Sequence, residues 1–342
     1  MFYKNFYNTI FLVVVGMLFT TSCNKLLPKD RDAITDDSQF TQTVYQPILG
    51  RTTVMDKNFY SGNSSLPFTF KIINPRLYTD GSPAQELLDT FPVTVWKKQY
   101  TGNETSLAEI ENERAIEYHP LFEIGGHSGV FTMWASAQTP FVRSLPDSGY
   151  VFDVEASNSG GRVYFRNFRL MPLKEQPYEP SNINQNTGQS TAANVYPSSV
   201  TNVYGERDNT HMMSPADVYV YFYKSGDGNS LTFKFMDTLF HPINPLKFAD
   251  TDWKNLVHGF NMQMTPDSVK YDVAYPIPLV TIPTKYTTPN GNQARVQFKY
   301  HRIGFGGFRQ DAIVSLDFNI YEKGDWQIVF WFKGDNPKFN DD

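Results

Sequence analysis

Residues 218–235, VYVYFYKSGDGNSLTFKF, contain the pattern that decides the fold of the second half of the chain. Val220 and Phe222 alternate with tyrosines, which is the period of a β-strand with one buried face. The alternation resumes at Phe233 and Phe235 after a run of small and polar residues. The Asp-Gly step between the two runs suits a two-residue turn, because both positions tolerate positive φ. We therefore predict a hairpin in which Phe222 lies opposite Phe233.

Further strands are expected nearer the carboxyl terminus. Residues 326–332, WQIVFWF, place one set of large apolar side chains on a single face and Trp331 on the other. Asn290-Gly291 predicts a second hairpin turn between residues 279–288 and 293–300.

The first half of the chain shows the same strand periodicity. Residues 68–72 alternate between apolar and polar side chains, and Asn74-Pro75 is expected to end that strand in a turn. Residues 91–96 predict another strand. Two more, at 150–155 and 162–170, flank a Gly-Gly pair and predict a hairpin.

One helix is expected in this half. Ser106 followed three residues later by Glu109 has the pattern of a capping box, in which each residue bonds the other's backbone. Apolar residues as far as Ile116 lie among charged ones, and His119-Pro120 is expected to end the helix.

Composition supports a fold of strands and turns. The 342 residues include 28 Phe, 20 Tyr, 22 Gly and 22 Pro, which favours strands separated by turns over disorder. Residues 174–200 are rich in Asn, Gln, Ser and Pro, and we interpret them as a linker or long loop. We predict an all-β protein of two Ig-like β-sandwich domains, at 33–173 and 201–342, with one short helix in the first.

The amino terminus predicts export and lipidation. Residues 10–19 are unbroken apolar sequence, too short for the ~20 residues that cross a ~30 Å hydrocarbon core, but typical of a signal peptide at 1–22. Thr20-Thr21-Ser22-Cys23 follows and resembles the lipobox of bacterial lipoproteins. That resemblance implies lipidation of Cys23, with residues 23–32 as a tether. The alternative is an uncleaved signal anchor with an ordinary free thiol.

Several functions lack support in the sequence. The net charge is −5 and there is no extended basic run, which argues against nucleic acid as a partner. GxSxG, P-loop and HExxH patterns are absent. The six histidines are scattered and the chain has one cysteine, so the spacing favours neither a metal site nor a cofactor.

Glycoside hydrolysis requires two carboxylates roughly 5 to 10 Å apart. Asp153 and Glu155 share one strand face, and so do Asp317 and Asn319. Each of these pairs is equally typical of a solvated strand edge.

Aromatic residues provide the candidate binding surface. Flat aromatic rings stack on the apolar faces of sugars, while neighbouring polar groups bind the hydroxyls. The alternative is that a second layer or a loop packs over this face. The candidate ligand-binding residues are Tyr219, Tyr221, Tyr223, Lys234 and Trp331.

Six segments spread over the chain carry a resemblance to a known family: Ile48–Met55, Pro146–Val154, Leu256–Met262, Tyr271–Leu279, Arg302–Phe308 and Tyr321–Trp326. They resemble an uncharacterised family of Bacteroidetes lipoproteins, catalogued as a domain of unknown function. The resemblance implies no catalytic or binding residues.

That resemblance also implies a location at the outer membrane, because such lipoproteins accompany starch-utilisation-type outer-membrane uptake systems. We therefore expect a non-catalytic lipoprotein of the outer membrane that binds a glycan or a partner protein beside a transporter, on a membrane face that the sequence leaves open. Two alternatives stay open: a fimbrial-type structural or adhesion subunit, and a glycoside hydrolase.

Overall fold

A computed structural model of the protein describes residues 34–207 and 210–342. The predicted signal peptide, Cys23 and the tether lie outside the described residues. Within the described ranges the chain forms twenty β-strands, one α-helix and four 3-10 turns. The predicted all-β sandwich class is therefore confirmed. No helix in these ranges is long and apolar enough to cross a membrane.

The first half of the chain builds two facing layers of strands. One is a four-stranded sheet in the order β2-β11-β10-β5, and smaller sheets β3-β9-β8, β1-β4 and β6-β7 accompany it. The elements are β1 (Gln39–Phe40), β2 (Val44–Tyr45), β3 (Thr53–Met55), β4 (Phe59–Tyr60), β5 (Thr69–Leu77), β6 (Thr90–Trp96), α1 (Leu107–Asn112), β7 (Arg114–Pro120), β8 (Phe122–Ile124), β9 (Phe131–Met133), β10 (Tyr150–Asn158) and β11 (Gly161–Leu170).

Aromatic side chains fill the core of this half. The ring of Phe131 is fully buried, and its centroid lies 4.7 Å from Tyr45, 5.4 Å from Phe122 and 5.7 Å from Phe152. These residues come from β2, β8, β9 and β10, so the contacts join the two layers. The β10–β11 hairpin predicted at 150–170 is present, with one register shift between Phe152 and Val154.

The turn predicted at Asn74-Pro75 is wrong, since β5 continues through both residues. Asn74 adopts a φ of 52°, which Asn tolerates better than most residues, and the β5–β10 register shifts at this point. The buried carboxylate of Asp153 accepts hydrogen bonds from Asn74 Nδ2 at 3.3 Å and Asn167 N at 2.8 Å. These bonds hold a β-bulge in the sheet where the sequence indicated a turn.

The predicted helix is present but ends earlier than expected. Ser106 Oγ accepts a hydrogen bond from Glu109 N at 3.1 Å, while the Glu109 carboxylate bonds to Thr105 instead of returning to Ser106. The helix stops at Asn112, and residues 114–120 form β7 paired with β6. Extension to His119-Pro120 was wrong because the backbone of this segment bonds to a strand some twenty residues earlier.

The second half forms a β-sandwich. One sheet has the order β14-β20-β15-β17-β16, and in the other β19 pairs with β18 on one edge and with β12 and β13 on the opposite edge. The strands are β12 (Tyr178–Glu179), β13 (Ser199–Thr201), β14 (Tyr219–Gly226), β15 (Ser230–Met236), β16 (Gly259–Met264), β17 (Val269–Val273), β18 (Ala294–Gly304), β19 (Phe308–Ile320) and β20 (Asp325–Trp331). The expected linker therefore contributes β12 and part of β13.

The predicted direct pairing of β14 with β15 is wrong, because β20 lies between them. Ile328 is opposite Phe222 on one side and opposite Phe233 on the other. The Asp325 carboxylate accepts hydrogen bonds from Gly228 N at 3.1 Å and Ser230 Oγ at 2.6 Å. These bonds tie the Asp-Gly loop to the start of β20, so the loop spans two strand spacings.

The Asn290-Gly291 turn is present, with Gly291 at a φ of 75°. The segment before it is not a strand and makes one bridge, Thr287 to Ala294. This segment contains Pro283 and is followed directly by Pro289, and a proline cannot donate a hydrogen bond to a sheet. Residues 294–304 form β18 and pair with β19, not with the segment 279–288 that the sequence predicted as their partner.

Side chains of α1 and β7 pack against the second half of the chain. Ile110 is fully buried in a cluster with Ala274 and Leu279. Arg114 stacks on Trp96 and donates to the carbonyl oxygen of Tyr275 at 2.9 Å. The segment from β6 through α1 to β7 thus joins the two halves of the chain, through an apolar cluster and the largely buried guanidinium of Arg114.

Replacing Phe330 with alanine should destabilise the protein by about 3–5 kcal/mol, because it would leave a cavity in the core. Phe330 is fully buried, with its ring 5.6 Å from Phe235 and 5.1 Å from Phe298. Chemical denaturation measures the change in free energy of unfolding. Phe305→Ala is the matched control, since Phe305 is 93% exposed and its loss should change stability by less than about 0.5 kcal/mol. Equal stability of the two variants would contradict the placement of β20.

Candidate functional site

The outward surface of the five-stranded sheet carries the aromatic residues that the sequence analysis selected. Tyr219, Tyr221 and Tyr223 project from β14, and Trp331 projects from β20 with Tyr219 directly opposite it. The residues that alternate with them, Val220, Phe222 and Phe330, point into the sandwich core and are buried. We call this surface the outer aromatic face. Its aromatic residues are Tyr196, Tyr219, Tyr221, Tyr223, Phe240 and Trp331.

Three of these rings form a nearly parallel row. The ring centroids of Tyr223 and Tyr221 are 6.0 Å apart, those of Tyr221 and Trp331 are 6.3 Å apart, and both ring pairs meet at 29°. Tyr223 is 48% exposed, and the other two are partly exposed. Burial raises the pKa of Tyr221, with a smaller contribution from Tyr223, so its phenol stays neutral at physiological pH. The row therefore offers a broad, uncharged aromatic surface to solvent.

Two further rings form the rim of the face. Tyr196 meets Tyr219 edge-on at 5.7 Å, and Phe240 meets Trp331 edge-on at 5.4 Å. Both are substantially exposed, at 40% and 48%. They border the face and leave Tyr223 exposed. A complete second layer packed over the face would have buried it.

Neither rim residue is predictable from strand periodicity, since neither belongs to an alternating strand. Tyr196 lies in the segment expected to be a linker. Phe240 lies in a turn with a φ of 64°, a conformation that is unusual for a bulky residue. The Asp237 carboxylate accepts from the backbone N–H of Leu239 at 2.9 Å and of His241 at 2.8 Å, which holds this turn.

Two lysines border the outer aromatic face. Lys333 is exposed, and its Nζ lies 4.9 Å from the ring centroid of Tyr219 and 5.3 Å from that of Trp331. Lys234 lies on the outward side of β15, opposite Val329, which is itself opposite Tyr221. The five candidate residues from the sequence therefore lie on one surface.

The carboxylate pairs considered for hydrolysis are bonded within the protein. Asp153 is only 3% exposed and bonds to Asn167 N, and Glu155 lies 3.4 Å from Arg162. Asp317 forms two short bonds with Arg295, at 2.6 and 2.7 Å. Each of these three carboxylates already has a partner in the fold.

Histidines in the described residues also have structural partners. His119 lies 3.0 Å from both Glu117 and Glu123, and its pKa is raised chiefly by the hydrogen bond to Glu117. His258 bonds to the Tyr100 hydroxyl and, at 2.8 Å, to the carbonyl oxygen of Glu104, next to a cavity of about 30 Å³. Within residues 34–207 and 210–342, no cluster of three or more His, Cys, Asp or Glu could hold a metal ion.

The fold and this surface define a β-sandwich protein with a partly exposed aromatic sheet face. The model of a family described as a domain of unknown function, DUF5007, matches residues 59–341. The chain belongs to that family, which confirms the predicted resemblance to an uncharacterised family. No curated protein and no solved structure matches the chain.

Replacing Asp153 with asparagine should destabilise the protein by about 1–3 kcal/mol at neutral pH, because the amide offers one acceptor oxygen to two donors and no charge to Arg76. Burial raises the pKa of Asp153, but hydrogen bonds from Asn167 and Asn74 and the nearby Arg76 outweigh it and lower the pKa below its usual value. This lowered pKa stabilises the fold above about pH 4, the range of an unfolded Asp, and the contribution is lost as pH falls through the folded pKa.

Denaturation curves between pH 7 and pH 3 test this. The stability gap between wild type and Asp153→Asn should narrow as the pH falls. Asp56→Asn is the control, because Asp56 is exposed. A gap that stays constant across this range would contradict the assigned role of the carboxylate.

Proposed function

We propose that this protein is a lipid-anchored lipoprotein of the outer membrane that binds glycan chains on the outer aromatic face, without covalent chemistry. The observation that carries the proposal is the nearly parallel, partly exposed row Tyr223–Tyr221–Trp331. A row of rings on one rigid sheet provides several stacking positions at fixed spacing. This arrangement suits an extended polymer better than a compact small molecule.

The physical basis is the two-sided character of sugar rings. Each pyranose has C–H groups on its faces, which pack on aromatic rings, and hydroxyls around its edge. The tyrosine hydroxyls and the lysine ammonium groups on this surface can hydrogen-bond such hydroxyls. Because the opposite side of the sheet is packed in the core, the rings are held in place before a ligand arrives, which limits the entropy lost on binding.

The proposed location depends on the amino-terminal sequence and on the association of similar lipoproteins with outer-membrane uptake systems. A lipidated Cys23 would keep the protein at a membrane, since each buried CH₂ of a lipid chain contributes ~0.8 kcal/mol. The resemblance to lipoproteins of starch-utilisation-type systems supports a position beside an outer-membrane transporter. Anchoring both proteins in one membrane raises the effective concentration of the captured chain at the transporter.

Tyr221→Ala should weaken glycan binding at least about tenfold, because it removes the central ring of the row. Isothermal titration calorimetry against a panel of soluble polysaccharides measures the effect. Tyr118→Ala is the matched control, since Tyr118 is 71% exposed on β7, far along the chain from the face. The control should bind as the wild type does, and thermal unfolding should show that both variants are folded at the temperature of the titration.

Two results would contradict the proposal. One is the absence of binding to every polysaccharide in the panel. The other is a bound polysaccharide whose affinity is the same for Tyr221→Ala and for wild type.

Cys23→Ser should release the protein from the membrane fraction, since a serine hydroxyl does not accept the lipid. Cell fractionation and mass spectrometry of the amino-terminal peptide measure this. Asp56→Asn, which keeps the cysteine, should remain in the membrane fraction. An unmodified Cys23 thiol in the wild-type protein would contradict the anchor.

A further inference from the structure

We infer that the glycan held on the outer aromatic face is anionic, a chain that carries carboxylate or sulfate groups along its length. This inference rests on the proposed function and specifies the class of ligand for the same surface. Its basis is the local charge: two lysines that form no ion pair with a residue the structure describes border the rings of a protein whose net charge is −5.

Lys333 is the first of the two cations. It lies two residues beyond the end of β20, is exposed, and holds its ammonium 4.9 Å from the ring centroid of Tyr219 and 5.3 Å from that of Trp331. The attraction between a cation and aromatic rings keeps the ammonium over the surface that would receive a sugar. No carboxylate in the part of the chain that the structure describes lies within ion-pair distance of Lys333.

Lys234 is the second cation. It lies on β15 in the same cross-strand row as Val329 and Tyr221, so it is two strand spacings, roughly 10 Å, from the tyrosine backbone. It is partly buried and likewise forms no ion pair with a described residue. The two lysines therefore flank the aromatic row on different sides.

The acidic groups around this surface are already bonded within the protein. Asp237 accepts from two backbone N–H groups, Asp325 accepts from Ser230 and Gly228, and Glu322 pairs with Lys224 at 2.7 Å. Glu322 is thereby paired with a cation, whereas Asp237 and Asp325 keep their charge but are held by neutral donors of their own loops. The ammonium of Lys333 is the charge that lies over the rings, and positive charge at the stacking positions is complementary to a polymer of uronic acids or sulfated sugars.

The experiment uses calorimetric titration of the purified protein with matched pairs of polysaccharides. One pair is polygalacturonate and its fully methyl-esterified form, and another is chondroitin sulfate and the chemically desulfated polymer. Within a pair the backbone is constant and only the charge differs. For at least one pair the charged form should bind roughly fivefold to tenfold more tightly at low salt, and the preference should shrink as salt screens the charges.

The variants assign that preference to the lysines. Lys333→Gln combined with Lys234→Gln should remove most of the preference for the charged polymer while keeping affinity for the uncharged one. The matched Lys→Arg double variant retains both charges and should keep the preference.

The titrations distinguish a wrong ligand charge from a wrong function. If neutral polymers bind as tightly as charged ones, the anionic class is wrong and the proposed glycan-binding function stands. If the glutamine double variant loses the same factor of affinity for the charged and the uncharged polymer of a pair, the lysines do not discriminate by charge and the inference is overturned. If neither charged nor neutral polymer binds, the proposed function itself fails.

Discussion

The insertion of β20 between β14 and β15 is the constraint on which the second half of the structure depends. β20 pairs antiparallel with β14 and parallel with β15, so its backbone is bonded along both edges. Ile328 and Phe330 bring the apolar residues of both neighbours into one core. If β14 and β15 paired directly, Trp331 would have no place beside Tyr219. One strand therefore completes both the core and the outer aromatic face.

This double role follows from the alternation of side chains along a strand. Phe330 points into the sandwich and is fully buried, while Trp331, the next residue, points outward to the tyrosines. Packing on the inner side restrains the backbone of the outer side. The separation of the rings is therefore set by the sheet, and the proposed binding surface requires no loop to fold around a ligand. The lysines add charge to a surface whose shape is already determined.

Local periodicity was sufficient to predict which residues share a face. The tyrosines of β14 lie opposite its buried residues as the alternation indicated, because burial on one side of a strand leaves a pattern within a few residues. Strand partners were not predictable in this way. Phe222 and Ile328 are about a hundred residues apart, and the Asp-Gly step indicated a local hairpin just as well.

The other errors have related causes. Asn74 is held in its bulge by Asp153, a residue far away in the chain, so no nearby signal separates the bulge from a turn. The helix was extended into β7 because its charge pattern fits a helix, whereas its backbone partner is β6. Tyr196 and Phe240 reach the face from loops, where period-two alternation carries no information.

Fluorine NMR of protein labelled with fluorotryptophan tests the central claim most directly. The chain has five tryptophans, of which only Trp331 belongs to the outer aromatic face. Saturation with a polysaccharide that binds should shift the Trp331 resonance and leave the other four in place. A bound polysaccharide that leaves Trp331 unchanged and shifts Trp134, in the first half of the chain, would contradict the account.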